Sequence, residues 1–100
     1  MDVSVKSYLP DIRLLMKRYG VEDAFIFGSA ASGNMEDESD VDFLITFPKD
    51  LDYVTYADNY FDLLHALQRL LKRGVDLVAA ETVKNPYLLQ SINENKISVY

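Results

Sequence analysis

The chain contains no cysteine and no tryptophan, and among its 100 residues there are only four glycines, three prolines and one histidine. Without cysteine it forms neither a disulfide nor a thiolate metal site. The single histidine, His65, is too little for a histidine-rich metal site. Any bound metal would therefore take oxygen ligands, as magnesium and manganese do.

Long apolar runs are also missing, because no stretch approaches the roughly 20 residues that cross a bilayer. The first residues lack the basic region and apolar stretch of a secretory signal, so we expect a cytoplasmic protein without membrane contact. The net charge is −6, whereas general nucleic-acid binders usually present a basic face, so we expect no direct nucleic-acid binding. Length and composition predict one globular domain over residues 1–100.

The order of predicted elements is helix, strand, strand, helix, strand, helix, strand, which is typical of an α/β (α+β) domain. Apolar spacing and turn residues place these elements at 8–19, 21–27, 41–47, a long helix ending before Gly74, 75–79, a helix beginning at Asn85-Pro86, and 97–100. Residues 30–39 are expected to form an acidic loop, with at most a short helical turn.

Two aspartates, Asp40 and Asp42, open the second predicted strand. Side chains two residues apart on a strand point to the same face, so these two carboxylates lie side by side. Like charges at that separation repel unless a cation lies between them. Asp76 opens the third predicted strand in the same way. The spacing predicts a divalent metal site.

The predicted topology brings these carboxylates together with the Gly28-Ser29 turn. The helix between the second and third strands is long enough for a crossover, which makes these strands parallel and puts both starts at one sheet edge. If the first strand runs antiparallel to them, its end brings Gly28 and Ser29 to that same edge. The sequence therefore predicts a small mixed sheet in which the three aspartates and the Gly28-Ser29 turn lie at a single edge.

Plainer interpretations remain open for each motif. Most Asp-x-Asp pairs lie in solvated acidic loops, and Gly28 alone fits either a tight turn or a turn whose amides hold phosphate. A Walker A loop is excluded because Asn34-Met35 stands where lysine and serine or threonine are required. His65 is expected to be exposed or structural. Three tyrosines of the long helix, Tyr53, Tyr56 and Tyr60, are expected in the core, with base stacking or partner contact as the alternative.

At this point the residues resemble a known family. Gly-Ser-Ala-Ala-Ser-Gly at residues 28–33, followed by Ser-Asp-Val-Asp-Phe at 39–43, resembles the Gly-Ser-x-Ala-Arg-Gly and Ser-Asp-x-Asp-Leu signature of minimal nucleotidyltransferases in the DNA polymerase β-like superfamily. The resemblance continues in Val-Asp-Leu-Val at 75–78 and Asn-Pro-Tyr-Leu at 85–88. Ser32 departs from the pattern, because the family usually has arginine there.

The resemblance implies a nucleotidyltransferase fold, with a small mixed sheet flanked by helices. It also implies the antitoxin of a two-gene module, which transfers AMP from ATP to a tyrosine of its partner, a HEPN ribonuclease toxin. By this resemblance Gly28, Ser29 and Ser39 bind the nucleotide. Three aspartates bind two magnesium ions, with manganese as the alternative, and act in catalysis: Asp40, Asp42 and Asp76, the last also helping to deprotonate the attacking hydroxyl.

Two other functions stay open at this stage. A catalytically weak binding module could neutralise a toxin stoichiometrically, and Ser32 favours that alternative because it removes a positive charge beside the expected triphosphate. Transfer to a small molecule such as an aminoglycoside is disfavoured, since about 100 residues leave no second domain for such an acceptor. The acceptor, the nucleotide preference and the oligomeric state, with itself or with a partner, are not fixed by the sequence.

Overall fold

A four-stranded mixed sheet organises the computed structural model, which describes residues 1–100. The elements, in chain order, are α1 (Val3–Lys6), α2 (Leu9–Arg18), β1 (Asp23–Phe27), α3 (Gly28–Ser32), β2 (Val41–Thr46), α4 (Tyr53–Leu71), β3 (Val75–Ala79), a 3-10 turn (Ala80–Thr82), α5 (Pro86–Asn95) and β4 (Ile97–Ser98). The predicted α/β class with a small mixed sheet is confirmed.

The strands lie in the order β3-β2-β1-β4. β2 and β3 are parallel, and their register places Asp42 opposite Asp76. β1 runs antiparallel to β2, with Phe27 opposite Asp42. Both predicted strand directions are therefore confirmed, and the end of β1 meets the starts of β2 and β3 at one edge of the sheet.

The pleat of β2 separates the core from the opposite face. Val41, Phe43 and Ile45 are fully buried, and they belong to one core cluster with residues from the other strands and from α2 and α4, such as Ile26, Leu77, Ile12, Met16, Leu63 and Leu67. Successive side chains alternate between faces, so Asp42 points away from this cluster. None of the helices combines the length and apolar character that a bilayer crossing requires.

Local signals for helix ends explain where the longer helices begin and end. Pro10 lies in the first turn of α2, where its missing N–H costs nothing, and Gly20 follows that helix at a φ of 76°. The Asp52 carboxylate accepts a hydrogen bond from the Thr55 N–H at the start of α4. Asn85 caps α5 in the same way. These are the residue types that favour such positions.

Two short helices were not predicted as helices. α1 has four residues and α3 has five, so neither contains enough turns to show a 3.6-residue apolar period. Tertiary contacts stabilise them instead, since Val5 is buried in the core and the Asp2 N–H donates to the Ala30 carbonyl over 2.8 Å. Residues 28–32, expected as a strand end followed by a loop with at most a short helical turn, therefore form a helix of five residues.

The remaining differences are at strand ends. β1 begins at Asp23, two residues later than predicted, and β2 ends at Thr46, one residue earlier than predicted. The predicted terminal strand over 97–100 is reduced to Ile97–Ser98. Val99 is nevertheless fully buried, and its N–H donates to the Ala24 carbonyl over 2.9 Å. The chain thus stays attached to β1 beyond the end of the regular strand.

Candidate active site

The centre of the candidate site is the pair formed by Asp42 and Asp76. The two residues are register partners on adjacent parallel strands, which lie roughly 4.8 Å apart in a sheet. Burial, with the negative charges of Asp76 and Asp40, raises the pKa of Asp42 to about 6. This carboxyl group therefore holds its proton more tightly than an exposed aspartate, as expected where like charges lie close without a cation.

Two glycines make room for two of the carboxylates. Gly28 has a φ of 67°, and a Cβ added there would collide with Oδ2 of Asp42. A Cβ added at Gly74 would collide with Oδ1 of Asp40. Glycine is therefore needed at position 28 for the close approach of the Asp42 carboxylate, in addition to the tight turn that the sequence suggested. Gly74, predicted only as a residue after a helix, turns out to accommodate an aspartate of the candidate site.

All three aspartates lie at one edge of the sheet, as predicted, but their side chains do not form a closed metal cluster. No group of three or more acidic, histidine or cysteine side chains is arranged to hold a metal ion. The carboxylate of Asp40 lies against Gly74, whereas that of Asp42 lies against Gly28. Magnesium is commonly held by one or two carboxylates together with substrate phosphates, so this open set of oxygen donors fits a metal that arrives with a nucleotide.

The Gly28-Ser29 turn lies directly beside the carboxylates. β1 ends at Phe27, opposite Asp42, and α3 begins at the next residue. The first amides of a helix have no carbonyl partner within the helix, so their N–H groups remain available to an external acceptor. Ala30 and Ala31 are buried beneath this turn. Small residues thus let α3 approach the sheet closely at the predicted phosphate-binding position.

A cavity of about 450 Å³ lies between α3 and α5 and reaches Gly28. Four of its lining residues are polar and uncharged: Ser32, Asn34, Ser91 and Asn95. The Ser32 hydroxyl donates to the Ser29 carbonyl over 3.3 Å and the side chain is exposed. The position at which the family usually has arginine therefore faces open space beside the glycine turn.

Ser39 lies in the turn that leads to Asp40. Its hydroxyl accepts a hydrogen bond from the Glu36 N–H over 3.0 Å, and its own N–H donates to the Glu36 carbonyl over 3.1 Å. In this arrangement Ser39 closes the turn over residues 36–39. Nucleotide binding by Ser39 stays a prediction, and the structure adds this bracing role to it.

Sequence reasoning also missed Arg73, whose guanidinium donates to main-chain carbonyls of the loop before Asp40. The available signal was the position of Arg73, which lies next to Gly74 and just before a strand that opens on an aspartate. It identifies no partner by itself, because the loop that it contacts is more than 30 residues earlier in the sequence.

One tyrosine of α4 lies near the candidate site, since burial and the nearby Asp76 carboxylate raise the pKa of Tyr60. Tyr60 and Tyr56 line an apolar cavity of about 400 Å³ beside β3. The Tyr60 hydroxyl donates to the Leu77 carbonyl, and the Tyr56 hydroxyl donates to Glu81 over 2.6 Å. Burial and the Glu81 carboxylate raise the pKa of Tyr56. Tyr53 is almost fully exposed, contrary to the core position expected for it, and His65 is exposed as expected.

Comparison with known proteins agrees with this geometry. Residues 11–100 match the family described as Polymerase beta, Nucleotidyltransferase. The chain belongs to this nucleotidyltransferase family. A candidate protein adenylyltransferase of Methanocaldococcus jannaschii is 38% identical to it over 87 residues, which cover 87% of this chain and 85% of that protein.

Solved structures show the same nucleotidyltransferase fold. A candidate minimal nucleotidyltransferase aligns with a TM-score of 0.72 at 26% identity, over 97% of this chain and 95% of that chain. A second match is a chain from the complex of a tri-AMPylated Shewanella oneidensis HEPN toxin with an MNT antitoxin. It aligns with a TM-score of 0.67 at 18% identity, over 95% of this chain and 71% of that chain. At that identity the likeness shows the fold alone.

Proposed function

We propose that this nucleotidyltransferase is a metal-dependent protein adenylyltransferase, which transfers AMP from ATP to a tyrosine hydroxyl of a cognate HEPN ribonuclease toxin and so acts as its antitoxin. The observation that carries the proposal is the in-register pair of Asp42 and Asp76 beside the Gly28 turn. The adenylyltransferase name of the M. jannaschii relative and the AMPylated toxin in the S. oneidensis complex support the choice of reaction and acceptor.

Asp40, Asp42 and Asp76 would hold magnesium or manganese together with the phosphates of ATP. When bound, such ions neutralise carboxylate and phosphate charge and stabilise the leaving pyrophosphate. The protein needs this neutralisation because its own net charge is −6. Burial raises the pKa of Asp42, and the nearby carboxylates of Asp76 and Asp40 raise it further, because crowding of like charges without a cation favours the protonated form.

The transfer itself forms one bond and breaks one. The tyrosine oxygen attacks the α-phosphorus of ATP and forms the new O–P bond, while the P–O bond to the β-phosphate breaks and pyrophosphate leaves with the electron pair. The hydroxyl proton passes to the carboxylate of Asp76, which is exposed at the sheet edge and therefore within reach of an incoming side chain. Amides at Gly28 and Ser29 hold phosphate oxygens.

The open site suits a protein acceptor. The side chains of Asp40 and Asp76 are both exposed. A protein brings its own surface to the sheet edge, so the nucleotidyltransferase needs to present only the nucleotide and the base.

The test is to incubate the protein with magnesium, labelled ATP and the HEPN ribonuclease toxin that the proposal assigns to it as partner. We expect label on a toxin tyrosine, and Asp76→Asn should slow transfer by about 100-fold or more because it removes the base and a metal ligand. The same variant should keep binding the toxin, since one carboxylate is a small part of a stable interface. Neutralisation of the toxin by the wild type without any label would contradict the proposal.

A binding module that neutralises the toxin by masking is the second candidate, and Ser32 is the observation that favours it. The side chain forms its hydrogen bond with the Ser29 carbonyl and supplies no cation to the cavity beside Gly28. Toxin neutralisation that persists in Asp76→Asn, and that requires one antitoxin for each toxin, is the result expected from masking.

A further inference from the structure

The loop of residues 33–40 carries the chain from α3 to Asp40 without any helix or strand. Its three consecutive acidic side chains, at residues 36–38, are exposed. Within the turn, hydrogen bonds join only Ser39 and Glu36. A loop with so little internal bonding does not by itself fix the position of the aspartate that follows it.

Arg73 supplies the missing support. Its Nε donates to the Ser39 carbonyl over 3.0 Å. Its Nη2 donates to the carbonyls of Glu36 and Asp37 over 2.7 and 3.1 Å. One half-buried side chain thus holds three main-chain carbonyls of the same turn.

The choice of acceptors shows what this contact does. The loop offers three carboxylates, yet Arg73 bonds to main-chain oxygens, so the contact fixes the shape of the backbone and forms no ion pair. Two different nitrogens of the planar guanidinium are used at once. A lysine ammonium is a single point of donation on a flexible chain and does not reproduce this fork.

The residue after Arg73 completes the contact with Asp40. The Gly74 carbonyl accepts the Val41 N–H over 3.0 Å, and the missing Cβ of Gly74 leaves room for the Asp40 carboxylate. Residues 73 and 74 therefore hold the chain on both sides of Asp40. We infer that Arg73 is a positioning residue, which fixes Asp40 for the metal-nucleotide complex; this inference rests on the proposed function for the metal-ligand role of Asp40.

The experiment compares Arg73→Gln and Arg73→Lys with the control Arg69→Gln. Arg69 is exposed in the last turn of α4 and makes no hydrogen bond with the loop. Three quantities are measured for each variant: the thermal unfolding midpoint, amide hydrogen exchange at Ser39 and Val41, and ATP affinity by calorimetry with and without magnesium.

In Arg73→Gln we expect faster exchange at Ser39 and Val41 and a loss of about tenfold in magnesium-dependent ATP affinity, a usual effect of losing a residue that orients a metal ligand. Arg73→Lys should resemble Arg73→Gln more than the wild type, because the fork is lost while the charge remains. It also replaces Arg73→Gln as the test variant if the latter does not fold. Arg69→Gln should match the wild type in exchange and affinity.

Each other result overturns a defined part of the inference. Unchanged exchange in Arg73→Gln would show that the loop does not depend on Arg73. Faster exchange in Arg73→Gln together with a wild-type magnesium-dependent affinity for ATP would show that the contact is purely structural. Wild-type exchange and affinity in Arg73→Lys would show that the two-nitrogen geometry of the guanidinium is not required. A wild type whose ATP affinity ignores magnesium would remove the proposed function and the positioning role together, while the exchange data would still show whether Arg73 holds the loop.

Discussion

On one face of β2, Val41, Phe43 and Ile45 are fully buried, whereas the other face carries the half-buried Asp42 and Thr46 on either side of the buried Leu44. The buried face removes apolar surface from water, which is the main favourable contribution to folding. The opposite face places a half-buried carboxylate beside two others, which is unfavourable without a cation. Val41 and Phe43 thus stabilise the fold, whereas Asp42 between them is a candidate for chemistry. Substitutions at these neighbouring positions should therefore have different consequences.

The largest effect is expected on the buried face. Phe43→Ala removes a fully buried ring and leaves a cavity, so the free energy of unfolding should fall by about 3–5 kcal/mol. Thr46→Ala, on the other face, should cost about 1 kcal/mol or less. Urea denaturation of both variants measures the difference. Equal losses would show that the two faces contribute alike to stability.

The next effect concerns the glycine that accommodates Asp42. Gly28→Ala should lower magnesium-dependent ATP affinity by about 10- to 100-fold, because the new Cβ displaces the Asp42 carboxylate. Gly33→Ala is a matched control: Gly33 also has a positive φ, of 85°, but an added Cβ there meets nothing within 4 Å. Both variants share the cost of a left-handed backbone, about 1–2 kcal/mol. Calorimetry should therefore find an affinity loss only in Gly28→Ala, and the same loss in Gly33→Ala would assign it to backbone strain.

A smaller effect follows from the pKa of Asp42. The folded pKa is about 6 against a reference value of 3.8, so the folded state binds more protons between these values and loses stability as pH rises through about 6. In metal-free protein Asp42→Asn should therefore be more stable than the wild type at about pH 7.5, by about 1 kcal/mol once solvent screening is allowed for. The advantage should disappear as pH falls to about 4.

Thermal or urea unfolding in a chelator, at both pH values, measures this difference for Asp42→Asn. A variant that is less stable than the wild type at both pH values would show that Asp42 stabilises the fold. In that case the contrast between the two faces of β2 would fail.

The smallest effect is expected at Ser32. Arginine there faces the cavity beside Gly28 and would supply a guanidinium for phosphate, so Ser32→Arg should speed AMP transfer by about threefold. Ser91→Arg, on α5, adds the same charge to the same cavity from the other side and serves as the control. Initial rates with labelled ATP measure both. Equal acceleration by the two variants would indicate a general effect of charge instead of a specific contact.

The sequence predicted those parts of the fold that depend on regular patterns. Strands β2 and β3 and the helix α4 between them have clear apolar periods, and the parallel crossover rule then placed Asp42 and Asp76 at one edge. The short helices α1 and α3 were missed because four or five residues show no period. Contacts between distant segments, such as Arg73 with Ser39 and Gly74 with Asp40, have no pattern in a single sequence. The metal-ligand roles of the three aspartates stay predictions.

The alternation along β2 also protects the alignment of the sheet during folding. A shift of β2 by one residue would turn Asp42 into the core and move Phe43 and Ile45 out of it, because side chains alternate with a period of two. Burying an unpaired carboxylate costs several kcal/mol, and the shifted strand would also lose the core packing of Phe43 and Ile45. Asp42, whose charge is unfavourable in the correctly paired sheet, is far more unfavourable in the shifted one. The residue proposed for chemistry therefore also selects a single strand register.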